Sequence, residues 1–221
     1  AISHDLRTPL TAILGASCAV LENKMDESTN LSLLQGIKEQ TEWLIRLVEN
    51  LLFVTRVNDL GLKINKTDEA VEEIVAEAVS RIRSQYKNSK IQVRIPSELI
   101  LAPMDGTLIE QVIINLLDNA IKHSPAESAV ELEVTVTGND VIFKVIDHGS
   151  GIPENELPDL FEVFSGKRKK SSDSSRGMGI GLNICRSIIK AHNGEISAEN
   201  APEGGAVIKF SLPLSKSHHH E

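Results

Sequence analysis

Leu34, Ile37, Thr41, Leu44, Val48, Leu51 and Thr55 recur at alternating steps of three and four residues, the rhythm that keeps one stripe of a helix turned toward a neighbour. Leu6, Leu10, Ile13, Ser17 and Val20 keep the same rhythm nearer the amino end. The polar stretch Met25–Asn30 separates the two seams. Helices over about Ile2–Asn23 and from just after Asn30 to about Val57 are therefore predicted to double back as an antiparallel hairpin. The same faces carry Leu33, Leu47 and Leu52, more apolar surface than one hairpin can cover. Pairing with a second copy into a dimeric four-helix bundle is the economical solution, and packing on the chain's own second domain is the alternative. Pro9 removes one amide donor within the first helix and predicts a bend just after His4.

From Asn58 to Lys66 the heptads stop, with Gly61 in the middle, and a different pattern begins. A strand is expected at Leu62–Lys66, an amphipathic helix from Asp68 to about Tyr86, and strands at Ile91–Ile95 and Leu99–Ala102. Asp105 then caps a helix of strong apolar periodicity through Ile109, Val112, Ile113, Leu116, Leu117 and Ile121. Val130–Thr137 and Val141–Asp147 form a hairpin about Gly138, Asn139 and Asp140. After a loop region, a helix from about Gly179 to His192 and strands at Glu195–Glu199 and Ala206–Leu212 complete the chain. Such mixed order predicts an α+β protein, a helical hairpin followed by a two-layer sandwich. The expected division is a first domain over 1–58, a second over 59–214 and a tail over 215–221. His218, His219 and His220 give that tail the look of a tag remnant.

The formal net charge of −8 argues against a nucleic-acid footprint, which needs a basic face. No apolar run reaches the roughly 18 to 20 residues that cross a bilayer. Cys18 and Cys185 stand far apart in apolar helical contexts, so the reading is a reducing compartment with neither disulfide framework nor metal knuckle.

Chemistry concentrates in five places. In Ser3–Leu10, His4 and Thr8 stand one helical turn apart and Asp5 sits beside the imidazole it can orient. On the helix after Asp105, Asn115, Asn119 and Lys122 project from one face; neutral amide oxygens suit a hard cation such as magnesium, and the lysine offsets phosphate charge. Asp147, at a strand end beside Gly149 and Gly151, can accept from an exocyclic amine such as that of adenine. Phe161 and Phe164 then precede a polar stretch from Gly166 to Arg176, the one strongly basic segment of an acidic chain, expected to be a loop. Gly177, Gly179 and Gly181 lead from it into a helix, an arrangement whose backbone amides cradle phosphate.

In that order the segments resemble the catalytic core of a two-component sensor histidine kinase. Ser3–Leu10 is similar to the family's phosphoacceptor box, 115–123 to its N box, Asp147–Gly151 to its first glycine box, Phe161–Phe164 to its F box and Gly177–Leu182 to its second glycine box. Ser3–Leu10 together with Pro202–Ala206 looks most like the potassium-responsive KdpD type. The resemblance implies a dimerisation and phosphoacceptor hairpin, then an ATP-binding domain of the gyrase, heat-shock-chaperone and histidine-kinase type. It implies autophosphorylation of His4 from ATP, transfer to an aspartate of a response regulator, and dephosphorylation of that regulator with Thr8 orienting water. Asn119 and Asn115 would hold magnesium. Lys122, His123, Asp147, Gly149, Gly151, Lys167, Arg176, Gly177, Gly179, Gly181 and Leu182 would line the nucleotide site. The chain would be a cytoplasmic piece of a bacterial inner-membrane sensor whose sensory portions lie upstream. An ATPase-like clamp of the same superfamily is disfavoured by Asn115, because clamp members carry a glutamate there to activate water. A catalytically dead scaffold is the other alternative, and His148 is a departure from the family's more usual Asn.

Overall fold

The computed structural model describes residues 2–22, 26–59, 64–162 and 180–215, and the chain divides into compact units at 1–59 and 60–221. The first unit is a hairpin of α1 (Ile2–Leu21) and α2 (Glu27–Asp59). The second helix begins four residues earlier than the polar composition of Met25–Asn30 implies. Asp26 is the reason: its Oδ1 accepts the Thr29 amide at 2.8 Å and its carbonyl accepts the Asn30 amide at 3.0 Å, which caps the first turn. Among the described side chains of the hairpin only Pro9 is buried. Leu10, Leu14, Leu21, Leu31, Leu34 and Ile45 are each at least half exposed.

The second unit runs β1 (Thr67–Ala70), α3 (Val71–Gln85), β2 (Lys90–Arg94), β3 (Leu101–Met104), α4 (Gly106–His123), β4 (Ala129–Thr137), β5 (Asp140–Ile146), α5 (Ile180–Ala191), β6 (Ile196–Asn200) and β7 (Ala206–Pro213). A five-stranded sheet has the order β2-β4-β5-β7-β6, with β2 and β4 parallel and the other neighbours antiparallel. A separate ribbon pairs β1 with β3. Alternate residues of the central strands point inward: Val130, Leu132 and Val134 on β4, Val141, Phe143 and Val145 on β5, and Ile208, Phe210 and Leu212 on β7 are all buried. They meet Val112, Ile113, Leu116 and Leu117 of α4 and Ile184, Ile188 and Ile189 of α5, which gives the two-layer sandwich. Phe143 and Phe210, directly opposed on β5 and β7, stack with centroids 4.4 Å apart.

In the second unit β3 lies two residues later than the strand read at Leu99–Ala102, and β1 is displaced further. The strand read into Leu62–Lys66 is not formed over 64–66, and 60–63 fall outside the described residues. The strand is instead Thr67–Ala70, where Asp68 starts a helix by periodicity alone. Pairing with Leu101–Met104 outweighs local preference, and α3 starts only when the Val71 amide reaches the Ile100 carbonyl at 3.0 Å. Asp105 caps α4 as expected, its Oδ1 accepting the Leu108 amide at 3.2 Å.

Candidate nucleotide site

β5 ends at Ile146 and delivers Asp147, only 8% exposed, onto a turn that closes on the carboxyl end of α4. Oδ1 of Asp147 accepts two backbone amides, Gly149 at 2.9 Å and Ala206 at 3.2 Å. Among the described residues no hydrogen bond reaches Oδ2. Two amides that fix one carboxylate oxygen also orient the other, so an acceptor on a largely buried side chain is held ready for a donor. Gly149 is required by space: a Cβ there would lie 2.1 Å from the His123 carbonyl. That approach joins the turn to the last turn of α4, where Asn119, Lys122 and His123 sit.

Asn119 is half-buried, and its carboxamide makes no hydrogen bond to another described residue. Asn115, one turn earlier, is engaged: its Oδ1 accepts from Gln111 Nε2 at 3.1 Å and its Nδ2 faces Cys185 Sγ at 3.9 Å. Burial pushes the Cys185 thiol up to about 12, which keeps it neutral and unreactive. Lys122 pairs with Asp118 one turn back, and Asp118 in turn accepts the Tyr86 hydroxyl at 2.6 Å. His123 is exposed.

Of the second glycine box, Gly181 and Leu182 lie in the first turn of α5, with Leu182 buried. Gly177, Gly179, Lys167, Arg176 and Phe164 lie outside the described residues. Phe161 is buried, its carbonyl accepts Asn183 Nδ2 at 2.8 Å, and Glu162 pairs with Arg186. Thus α5 grips the F box with two side chains. In the hairpin unit, Thr8 is exposed on α1; His4 and Asp5 are in its helical backbone, and their side chains fall outside the described residues.

Residues 104–216 match the family described as histidine kinase-, DNA gyrase B- and HSP90-like ATPase, and residues 1–60 match the His Kinase A phospho-acceptor domain. The chain belongs to the histidine kinase family. Over 214 residues, 96% of this chain, it is 52% identical to the sensor protein KdpD of Clostridium acetobutylicum and 36% identical to that of Escherichia coli. The chain spans 24% of the length of each. Among solved structures it is similar to the histidine kinase ThkA in complex with the response regulator protein TrrA, with a TM-score of 0.77 and 25% identity, covering 97% of this chain and 60% of that one.

For a histidine kinase core, three parts of the site escape sequence reasoning. Asn200 carries a carboxamide that bonds both backbone groups of Ile152, and Gly205 packs against the Asp147 carbonyl. Ala206 supplies a backbone amide, for which no side-chain pattern exists. Asn183 is the third, hidden because its partner is a carbonyl 22 residues away. The only available signal was the run Pro202–Ala206, read above merely as a mark of kinship.

Proposed function

We propose that this kinase core binds ATP through Asp147 and transfers its γ-phosphoryl group to His4. The observation that carries the reading is the Asp147 carboxylate, buried, with Oδ1 saturated by backbone and Oδ2 turned to no described partner. A ligand with an exocyclic amine satisfies that oxygen, and adenine carries one. Residues 1–58 act as the dimerisation and phosphoacceptor domain and 59–214 as the ATP-binding domain. The apolar side chains left exposed on α1 and α2 support pairing of two hairpins into a four-helix bundle.

The residues at the end of α4 fit a magnesium nucleotide. Asn119 offers an uncommitted neutral carboxamide oxygen, a ligand type that a hard cation carried on phosphate oxygens would accept. When bound, magnesium neutralises charge on the β- and γ-phosphates. Asn115 and Asn119 would hold it, with Asn115 Oδ1 released from Gln111, while Lys122, released from Asp118, and Lys167 and Arg176 would meet phosphate oxygens. Gly177, Gly179 and Gly181 keep backbone amides close to the phosphates.

A neutral imidazole nitrogen of His4 attacks the γ-phosphorus, forming an N–P bond as the bond to the bridging β,γ-oxygen breaks and ADP leaves. Asp5 accepts from the opposite ring nitrogen and favours the imidazolium that forms. The phosphoramidate then passes its phosphoryl group to an aspartate of a response regulator, a role supported by the likeness to ThkA, itself solved with such a partner. Thr8, exposed one turn from His4, orients water when the regulator is dephosphorylated. Sensory and membrane-anchoring portions of the parent belong to segments outside this chain; no helix among its described residues is long and apolar enough to cross a membrane.

Incubation with γ-labelled ATP and magnesium tests the assignment. The intact chain gives acid-labile, alkali-stable label, and His4→Gln and Asn119→Asp each abolish it. Label of that stability surviving in His4→Gln would place the acceptor elsewhere.

A further inference from the structure

The turn between β6 and β7 lies 48 or more residues from the adenine-reading loop and yet touches both of its ends. At one end Ala206 brackets Asp147, with its carbonyl accepting the Asp147 amide at 2.9 Å and its own amide donating to Oδ1. At the other end Asn200, the last residue of β6 and the register partner of Ala206, holds Ile152 with both prongs of its carboxamide. Oδ1 accepts the Ile152 amide and Nδ2 donates to the Ile152 carbonyl, each at 2.7 Å.

Between those clamps the loop has little freedom. Gly151 sits at φ +74°, and a Cβ there would lie 2.9 Å from Asn200 Oδ1. Gly205, at φ +89°, presses against the Asp147 carbonyl so closely that a Cβ would lie 2.0 Å from it. The turn is itself closed by Ala201 and Gly205, amide to carbonyl, at 3.0 Å. Asn200 is exposed, so its removal empties no part of the core. What is lost is the pair of bonds to Ile152.

We infer that Asn200 is a positioning residue for purine selection: by pinning Ile152 it fixes the loop whose Gly149 amide aims the Asp147 carboxylate. The inference rests on the reading that Asp147 accepts the adenine amino group. The chemistry it governs is discrimination between a nucleotide with an exocyclic amine and one without.

The test is equilibrium binding of ADP and of purine riboside diphosphate, which lacks the amino group, to the whole chain by calorimetry. Asn200→Ala should weaken ADP about tenfold while changing the analogue less than about twofold, so the preference for ADP shrinks. Asn200→Ser, which retains an acceptor for the Ile152 amide, should fall between and decides the matter if the alanine variant fails to fold. Asp147→Asn separates the two layers of the argument. If it leaves the ADP preference intact, the adenine reading itself is wrong. If it abolishes the preference while both Asn200 variants keep it, or lose both ligands in parallel with melting temperature, the positioning role is overturned.

Discussion

At the scale of single residues, Gly204 and Gly205 make a contrast that conformational freedom alone would not separate. Both have positive φ, +98° and +89°, but a Cβ on Gly204 meets open space and one on Gly205 meets the Asp147 carbonyl carbon at 2.7 Å as well as its oxygen. Gly204→Ala should therefore cost only backbone strain, about 1 kcal/mol in urea unfolding, with ADP binding retained. Gly205→Ala must also displace Asp147 and should cost about 3 kcal/mol or more and abolish ADP binding. Equal effects at the two positions would contradict the packing. The placement of Asp147 was legible because a strand end, an acid and two glycines stand together in sequence. The bonding of Asn200 to Ile152 was not, since a side chain that bonds a distant backbone leaves no periodicity and no composition bias. The engagement of Asn115 by Gln111 and Cys185 was likewise invisible: one partner is a turn away and the other 70 residues on.

At the scale of elements, α4 is the part whose placement the site depends on, and its start is tied down from α5. His192 is fully buried; its Nδ1–H donates to the Ile188 carbonyl at 2.8 Å and its Nε2 accepts the Asp105 amide at 3.0 Å. Asp105 is the N-cap of α4, so one neutral imidazole joins the end of one helix to the beginning of another. Burial holds His192 below its ordinary value of 6.5, so the unfolded chain takes up this proton at a higher pH than the folded one. Stability supplied by the neutral ring is present above about pH 6.5 and is lost as pH falls from there through the folded value, by up to about 1.4 kcal/mol per pH unit. Urea midpoints measured from pH 7.5 to 5.5 should fall accordingly, and His192→Gln should flatten that slope while lowering stability at pH 7.5. An unchanged slope would remove His192 from the account. Elements were legible where pattern and capping agreed, as for α4 and the β4–β5 hairpin. They were not where a long-range partner decided, as for β1, which exists only because β3 lies beside it.

At the scale of the whole molecule, the chain divides into two compact units, 1–59 and 60–221. The second is a closed sandwich with a continuous core, whereas the first exposes leucines on both helices. Two heptad seams, a break near Asn58 and a mixed α/β pattern made that division readable from sequence. The geometry at Oδ2 of Asp147 was not readable, because it depends on an amide of β7 that the fold brings to the end of β5. The central claim is that an ATP site anchored on Asp147 serves the imidazole of His4. Mapping phosphate by mass spectrometry at neutral pH, after incubation with ATP and magnesium, tests it most directly. The account predicts phosphate on His4 in the peptide ending at Arg7, and none anywhere in Asp147→Asn; phosphohistidine that persists in Asp147→Asn, or phosphate confined to another residue, would contradict it.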